Sequence, residues 1–144
     1  MVESKEDIID FFNRADTITR MKKYNINTVI LFGSVVTDRF EEYSDIDISI
    51  LSEDTISINT IFSLEEFLES ELGRDIDVVD LQCRTLETNI KVSILDNGII
   101  VYNDDNYNLY NKVYMETERK YKENETFRYF RERDVIWDEQ TKII

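Results

Sequence analysis

The sequence predicts a single α+β (or α/β) domain with about four strands and four helices arranged around one sheet. Three observations favour this fold class. The 144 residues suit one ordinary domain, and the hydrophobic fraction of 42% is typical of a globular protein. Short runs rich in β-branched residues alternate with segments in which apolar residues return every three or four positions. The chain contains no proline, so its helical segments can continue without interruption.

The predicted elements follow one another with no linker, internal repeat or low-complexity tract between them. In chain order they are a helix over 4–23, a strand over 28–32, a short helix over 35–40, a strand over 45–50, a helix over 57–72, a strand over 76–81, a helix over 85–95, a strand over 99–102, a long helix from 104 to about 133, and a partly ordered tail over 137–144.

Residues with known capping and turn preferences set several of these boundaries. Ser4 and Asp7 have the spacing of a capping box at the start of the first helix. Ser34 is a favourable N-cap for the short helix that follows the first strand. Gly73 stands where a left-handed C-cap is expected. The Asp-Asn-Gly sequence over 96–98 predicts a turn before the last strand.

The composition excludes several classes of protein. The chain has 31 Asp and Glu against 17 Lys and Arg, a net charge of -14 and a pI near 4.4, which argues against direct binding of nucleic acid. It has no His, which excludes His-based nucleophile systems and His-ligated zinc. Cys83 is the single cysteine, so no internal disulfide or cysteine-rich metal cluster forms.

The N-terminal sequence and the apolar runs predict where the protein works. The first seven residues are charged and lack the apolar stretch of a secretory signal. The longest apolar runs are the size of a strand and too short to span a bilayer. We therefore expect a cytoplasmic protein that binds no membrane.

The negative charge is concentrated in one part of the chain. From Lys112 to the end, eight basic residues balance eight acidic residues, so all fourteen excess negative charges lie within 1–111. Part of this excess keeps the protein soluble, and any carboxylates that bind a metal should lie in the same segment.

Three of these carboxylates are placed where they can meet. Asp45 and Asp47 are two residues apart on a predicted strand, so their side chains leave the same face with α-carbons about 6.6–7 Å apart. Asp77 lies on the next predicted strand and joins them if the two strands are neighbours in register. Three close carboxylates repel one another without a cation, and Mg²⁺ takes oxygen ligands that it shares with phosphates. This pattern indicates a Mg²⁺ site that handles a nucleoside triphosphate, of the two-metal type.

A structural interpretation of the same residues stays open at this point. An Asp-x-Asp pair is common on the exposed face of an edge strand in an acidic protein, and we interpret Asp75 and Asp80 as solvated in that way. Gly33 and Ser34 directly follow the first predicted strand. They form either a plain turn capped by the serine or a turn whose amides and hydroxyl hold a phosphate.

The joint arrangement is more specific than its parts. A strand, Gly33-Ser34, ten residues, Asp45-Ile46-Asp47, a helix and then Asp77 on a third strand resemble the signature of the nucleotidyltransferase superfamily related to DNA polymerase β. Three segments are similar to the sequence motifs of that family: Leu31-Phe32-Gly33-Ser34, Ser44-Asp45-Ile46-Asp47, and Leu72-Gly73-Arg74 before Ile76-Asp77. The resemblance covers at least 28–81, and the short chain is similar to the minimal nucleotidyltransferases of bacteria and archaea.

The resemblance implies a fold and a division of the chain. The fold is the nucleotidyltransferase fold, a small mixed sheet of about four strands flanked by helices, with a long C-terminal helix. The single domain over 1–144 then divides into a catalytic core over about 25–102 and a C-terminal helix and tail over about 104–144.

The resemblance also implies roles for individual residues. Asp45 and Asp47 would hold two Mg²⁺ ions that bridge the triphosphate of ATP, and Asp77 would complete one metal site and act as the base. Gly33 and Ser34 would grip the β- and γ-phosphates, with Ser44 part of the same nucleotide-binding motif. Many minimal members have a basic residue just after the Gly-Ser pair. Here Val35-Val36-Thr37-Asp38 follows, so Arg39 is the first cation available to the triphosphate.

The acceptor is predicted by the same resemblance. Similar minimal nucleotidyltransferases are antitoxins that transfer AMP from ATP to a Tyr of a HEPN-type ribonuclease toxin, as part of a hetero-oligomer, and a homodimer is the other possible assembly. An acidic enzyme suits a partner with a basic RNA-binding site. Two alternatives stay open: nucleotidylation of a small polycation such as an aminoglycoside, and an antitoxin that acts by binding alone.

Overall fold

A computed structural model of the chain describes residues 4–41 and 43–142, with side chains described as far as residue 125. The elements in chain order are α1 (Lys5–Phe12), α2 (Ala15–Lys23), β1 (Thr28–Phe32), a 3-10 turn (Gly33–Val36), β2 (Ile46–Leu51), α3 (Ile58–Leu72), β3 (Ile76–Asp80), α4 (Thr88–Asn97), β4 (Ile99–Asn103) and α5 (Asn108–Lys142). No helix in the described part of the chain is long and apolar enough to cross a membrane.

The four strands form one mixed sheet in the order β3-β2-β1-β4. β1 is antiparallel to both β2 and β4, whereas β2 and β3 are parallel. The predicted mixed four-stranded sheet is therefore confirmed. β2 lies between two neighbours, so its Asp-x-Asp pair does not belong to an edge strand.

Helices cover both faces of the sheet, and each face has its own apolar cluster. On one face, residues of α1, α2 and α3 such as Phe12, Met21 and Leu68 pack against the strands. On the other face, Ile30 of β1 packs with residues of α4 and α5 that include Leu95. Alternation along the strands assigns each residue to one face, and the odd-numbered residues of β2 and β3 belong to the face of α4 and α5.

The predicted helix over 4–23 is wrong in one respect, because the structure has two helices there. The capping box of Ser4 and Asp7 is present as predicted. Asn13 ends α1, and its side-chain amide donates to the carbonyl of Ile9 at 3.0 Å. Arg14 then takes an extended conformation, and α2 begins. A polar side chain that bonds to the preceding turn competes with the helical backbone pattern, which periodicity does not detect.

The short helix predicted over 35–40 is also wrong in position. The structure has a 3-10 turn that begins at Gly33 and ends at Val36. The amide and the hydroxyl of Thr37 both donate to the carbonyl of Ser34, at 3.0 Å and 2.9 Å, and this closes the turn early. The residues from Thr37 to Glu41 and from Tyr43 to Asp45 therefore lie outside the helices and strands, and we call them the loop before β2.

The last two helices begin later than predicted. α4 begins at Thr88 and includes residues 96 and 97, and α5 begins at Asn108 and continues to Lys142, through most of the predicted tail. The last two residues of that tail lie outside the described part of the chain. Asn106 and Tyr107 have φ angles of 55° and 62°, which no helix accommodates. Tyr110 and Tyr114 then fasten α5 to the end of α4 through hydrogen bonds of 3.1 Å.

Candidate active site

The strand register brings the predicted carboxylates to one end of the sheet. Asp47 on β2 is paired directly with Asp77 on β3, and on its other side with Phe32, the last residue of β1. Asp45 stands just before β2. Because residues two apart on a strand leave the same face, the three side chains belong to the face covered by α4.

Electrostatics at this end of the sheet are dominated by repulsion. Asp47 is half-buried, whereas Asp45 and Asp77 are exposed. Burial, followed by the negative charges of Asp77 and Asp45, raises the pKa of the Asp47 carboxyl above its usual value. Each of these influences disfavours a bare carboxylate, and a bound divalent cation would reverse the balance.

The chemistry of the donor set fits magnesium. All three candidate ligands are carboxylates, and hard oxygen ligands are those that Mg²⁺ prefers. Within residues 4–41 and 43–125, whose side chains the structure describes, no three acidic or thiol side chains already converge tightly enough to enclose an ion. Like charges repel, so a set of three carboxylates closes only around a cation. In the described part of the chain, Asp45, Asp47 and Asp77 thus lie at one end of the sheet without forming a preassembled cage.

Gly33 is adapted to its place beside Asp47. Its φ angle is +76°, a left-handed conformation that glycine adopts without strain. A Cβ built at this position would collide with Oδ2 of Asp47. The backbone at Gly33 therefore approaches the carboxylate more closely than any other residue type allows.

Gly33, Ser34 and Arg39 line one cleft. The cleft has a volume of about 820 Å³, which is within the range of small-molecule sites. It extends from the Gly33 turn to α4. The residues that line it are Phe32, Gly33, Ser34, Val36, Thr37, Arg39, Asn89, Ile90, Ser93, Ile94 and Asn97.

Ser44 lies elsewhere. It is not among the residues that line the cleft, and it borders a smaller pocket of about 300 Å³ with Tyr43, Asp45 and Arg74. Its hydroxyl accepts a hydrogen bond from the amide of Glu41 at 3.0 Å. In this structure the Ser44 side chain thus stabilises the loop that leads to Asp45.

The polar side of the cleft was not predicted from the sequence. Asn89, Ser93 and Asn97 line it from α4, four residues apart from one another. This spacing is a detectable signal, because residues at i, i+4 and i+8 share a helix face. Ile90 and Ile94 of the same helix also reach the cleft, so the wall combines apolar area with amide and hydroxyl groups.

Residues 6–107 match one protein family, which is described as "Polymerase beta, Nucleotidyltransferase". The match covers all four strands, the Gly33 turn and the three aspartates.

One curated relative is a protein of Methanocaldococcus jannaschii whose assignment as a protein adenylyltransferase is provisional. It is 34% identical over 58 residues, which are 40% of this chain and 59% of the relative. The chain thus spans about three-fifths of the length of the curated relative that it matches.

Solved structures of similar fold include two toxin–antitoxin complexes. A chain of a toxin–antitoxin structure with AMP-PNP is 25% identical, with a TM-score of 0.65 over 83% of this chain and 94% of that one. A chain from a complex of a tri-AMPylated Shewanella oneidensis HEPN toxin with its MNT antitoxin is 24% identical, with a TM-score of 0.60 over 88% of this chain and 98% of that one.

Proposed function

The chain belongs to the polymerase beta nucleotidyltransferase family, and from that membership we propose that it transfers AMP from ATP to a Tyr hydroxyl of a HEPN-type toxin, with two Mg²⁺ ions. One observation carries the proposal. The register of β2 and β3 pairs Asp47 with Asp77, and Asp47 lies against Gly33, which lines a cleft together with Ser34 and Arg39. Carboxylates for a metal and donors for phosphate thus lie at the same end of the sheet.

The roles proposed for the acidic residues are those that the family resemblance implies. Asp45 and Asp47 would hold both ions, and Asp77 would complete one of the two sites. Bound Mg²⁺ supplies charge neutralisation and alignment of the triphosphate. Asp77 is exposed, so it can reach an acceptor that approaches from outside the domain.

The cleft suits the rest of the nucleotide. The backbone amides at Gly33 and Ser34 and the guanidinium of Arg39 are the donors for the β- and γ-phosphates. Asn89 and Ser93 offer polar contacts on the α4 side, and Ile90, which is 44% exposed, offers an apolar surface for the base or the ribose.

The proposed reaction is a substitution at phosphorus. The acceptor oxygen attacks the α-phosphorus, the bond between that phosphorus and the oxygen bridging to the β-phosphate breaks, and pyrophosphate leaves. Asp77 accepts the hydroxyl proton as the new phosphoester bond forms. The products are an AMP ester of the acceptor and pyrophosphate.

A protein acceptor is supported by the relatives and by charge. The curated relative is provisionally a protein adenylyltransferase, and the neighbouring solved structures are toxin–antitoxin complexes, one of which holds an AMPylated HEPN toxin. This chain has a net charge of -14, and all of the excess lies in the segment that carries the site. A basic surface on the partner would accelerate the encounter with that segment.

The test is transfer of labelled nucleotide to a purified HEPN-type partner. With ATP and Mg²⁺, we expect the partner to gain the mass of one or more AMP groups on Tyr, and to gain label from α-labelled but not from γ-labelled ATP. Label transferred from γ-labelled ATP would indicate kinase chemistry and contradict the proposal.

The matched control is the double variant Asp45→Asn/Asp47→Asn, which preserves side-chain size while it removes both charges. We expect this variant to fold, to bind the partner and to transfer no AMP. If the variant still neutralised the partner in cells as well as the wild type does, the protein would act by binding alone. Label on an aminoglycoside instead of the protein would identify a small-molecule enzyme.

A further inference from the structure

Arg74 is a buried arginine beside the proposed site. Only 7% of its surface is exposed. Because arginine is almost never buried without partners, its contacts identify what it holds. It follows Gly73, the left-handed cap that ends α3, and precedes β3 by two residues. Arg74 therefore belongs to the short segment that delivers Asp77 to the sheet.

The guanidinium of Arg74 reaches across to the loop before β2. Its Nη1 donates to the carbonyl of Glu41 at 2.7 Å and to the carbonyl of Ser44 at 3.0 Å. Its carbon Cζ also lies 4.3 Å from the centre of the Phe40 ring. These contacts attach one side chain to three residues of the loop, and the last of them is next to Asp45.

One backbone hydrogen bond joins the same two segments, and a second closes the segment before β2 on itself. The amide of Ile46 donates to the carbonyl of Asp75 at 2.9 Å, and the amide of Ser44 donates to the carbonyl of Glu41 at 3.1 Å. Arg74 thus sits at the junction of two chain segments, one of which leads to Asp45 and the other to Asp77.

This combination of contacts requires a guanidinium. A planar guanidinium can stack on a ring with its face while its edge donates hydrogen bonds in the plane. Hydrogen bonds from a charged donor to carbonyls offset the cost of burying that charge. A lysine ammonium can replace a hydrogen bond but has no flat face to stack on Phe40.

We propose that Arg74 is a positioning residue that holds Phe40, Glu41 and Ser44 against the segment before β3, and thereby sets the separation of Asp45 and Asp77 for metal binding. The part of this proposal that concerns metal rests on the proposed function. Residues that orient ligands without touching the metal typically change metal affinity about 10–100-fold when they are replaced. The arginine would therefore matter for the metal without contacting it.

The first measurement is hydrogen exchange of the metal-free protein. In Arg74→Met, we expect faster exchange of the amide of Ile46, whose bond joins the two segments, and of the amide of Ser44, whose bond to Glu41 Arg74 supports. Arg74→Lys should give an intermediate rate because it can keep a carbonyl contact. Arg20→Met is the matched control, since the Arg20 guanidinium also lies over a ring, 4.4 Å from the centre of Phe67, and Arg20 on α2 belongs to neither of the two joined segments.

The second measurement is the binding of Mn²⁺, observed by electron paramagnetic resonance without nucleotide or acceptor. We expect the affinity of Arg74→Met to fall about 10–100-fold, that of Arg74→Lys to fall less, and that of Arg20→Met to match the wild type. Thermal unfolding of each variant checks that it is folded.

Two results separate failure of this inference from failure of the proposed function. If folded Arg74→Met matched Arg20→Met in both amide exchange and Mn²⁺ affinity, the positioning role would be overturned. If the wild type bound no Mn²⁺, the proposed function would fail, and the exchange of Ser44 and Ile46 would still decide whether Arg74 holds the loop.

Discussion

Both ends of the sheet carry aspartates. In the part of the chain that the structure describes, the aspartates accept hydrogen bonds at one end, and the three candidate metal ligands at the other end do not. At the end where β1 begins, Asp104 accepts hydrogen bonds of 3.1 Å from the side chains of Asn27 and Tyr102. Asp105 accepts from the side chain of Asn103 and caps α5 through the amide of Leu109, also at 3.1 Å. The acidic residues at this end are therefore structural.

At the opposite end, where β1 leads into Gly33, the aspartates face one another. Among the residues that the structure describes, the carboxylates of Asp45, Asp47 and Asp77 accept no hydrogen bond and form no ion pair. Unsatisfied like charges destabilise a fold, and such sites are typical of function that is retained at the expense of stability. Hydrogen bonding thus separates two groups of aspartates, one that stabilises the fold and one that fits the proposed metal site.

Replacing one aspartate at each end should give opposite results, and this is the largest effect that we expect. Asp47→Asn should reduce AMP transfer by about 10³-fold or more, because the loss of metal-assisted charge stabilisation amounts to several kcal/mol. The same variant should raise the melting temperature of the metal-free protein by roughly 2 °C, since it removes a charge that burial, Asp77 and Asp45 all disfavour. Transfer assays and thermal unfolding without metal measure the two effects.

The matched control for that variant is Asp104→Asn at the satisfied end. It loses a charged hydrogen-bond acceptor, which should cost about 1 kcal/mol and lower the melting temperature by roughly 3 °C, with little change in transfer rate. Added Mg²⁺ should stabilise Asp104→Asn as much as the wild type, and Asp47→Asn much less. Equal stabilisation of both variants by Mg²⁺ would contradict the contrast between the two ends.

Gly33→Ala should sharpen the comparison by moving Asp47 without removing its charge. Alanine at a φ of +76° costs about 1–2 kcal/mol, and its Cβ collides with Oδ2 of Asp47. A small displacement of a catalytic group can reduce the rate about 10²-fold, and that is the loss that we expect here. Steady-state transfer rates and chemical denaturation measure the two effects.

Gly73→Ala provides the control for backbone strain, because Gly73 has a similar φ of +69° at the end of α3. We expect a similar loss of stability and a much smaller loss of activity. If the two variants lost activity equally, strain alone would explain the need for Gly33, and its contact with Asp47 would be irrelevant.

The sequence predicted much of the sheet and of the candidate site because both depend on short-range patterns. Alternation and β-branched runs located all four strands to within a residue or two. The Gly33-Ser34 and Asp45-x-Asp47 spacing located the carboxylates and the turn, and the register of β2 with β3 placed Asp77 beside Asp47 as expected.

What the sequence could not predict depends on particular side-chain contacts. The break between α1 and α2 comes from the bond of Asn13 to the carbonyl of Ile9, and the early end of the turn comes from Thr37. Hydrophobic periodicity, which reflects only the spacing of apolar residues, detects neither hydrogen bond. The hydrogen bonds of Arg74 to Glu41 and Ser44 join residues thirty or more positions apart, and no local sequence pattern indicates such a contact.

The smallest effect that we expect concerns Arg39, an exposed residue that lines the cleft next to Gly33. Its guanidinium would bind phosphate in partial competition with water, so Arg39→Ala should raise the KM for ATP about ten-fold, equivalent to about 1.4 kcal/mol, with little change in kcat. Arg84→Ala is the control, because Arg84 is an exposed cation that lines a different cleft, near the end of β3. If both variants raised KM equally, general charge attraction rather than contact with the phosphates would be the cause. A ten-fold effect confined to Arg39 would show that the cation six residues after Gly33 takes the place of the basic residue that is missing beside Ser34.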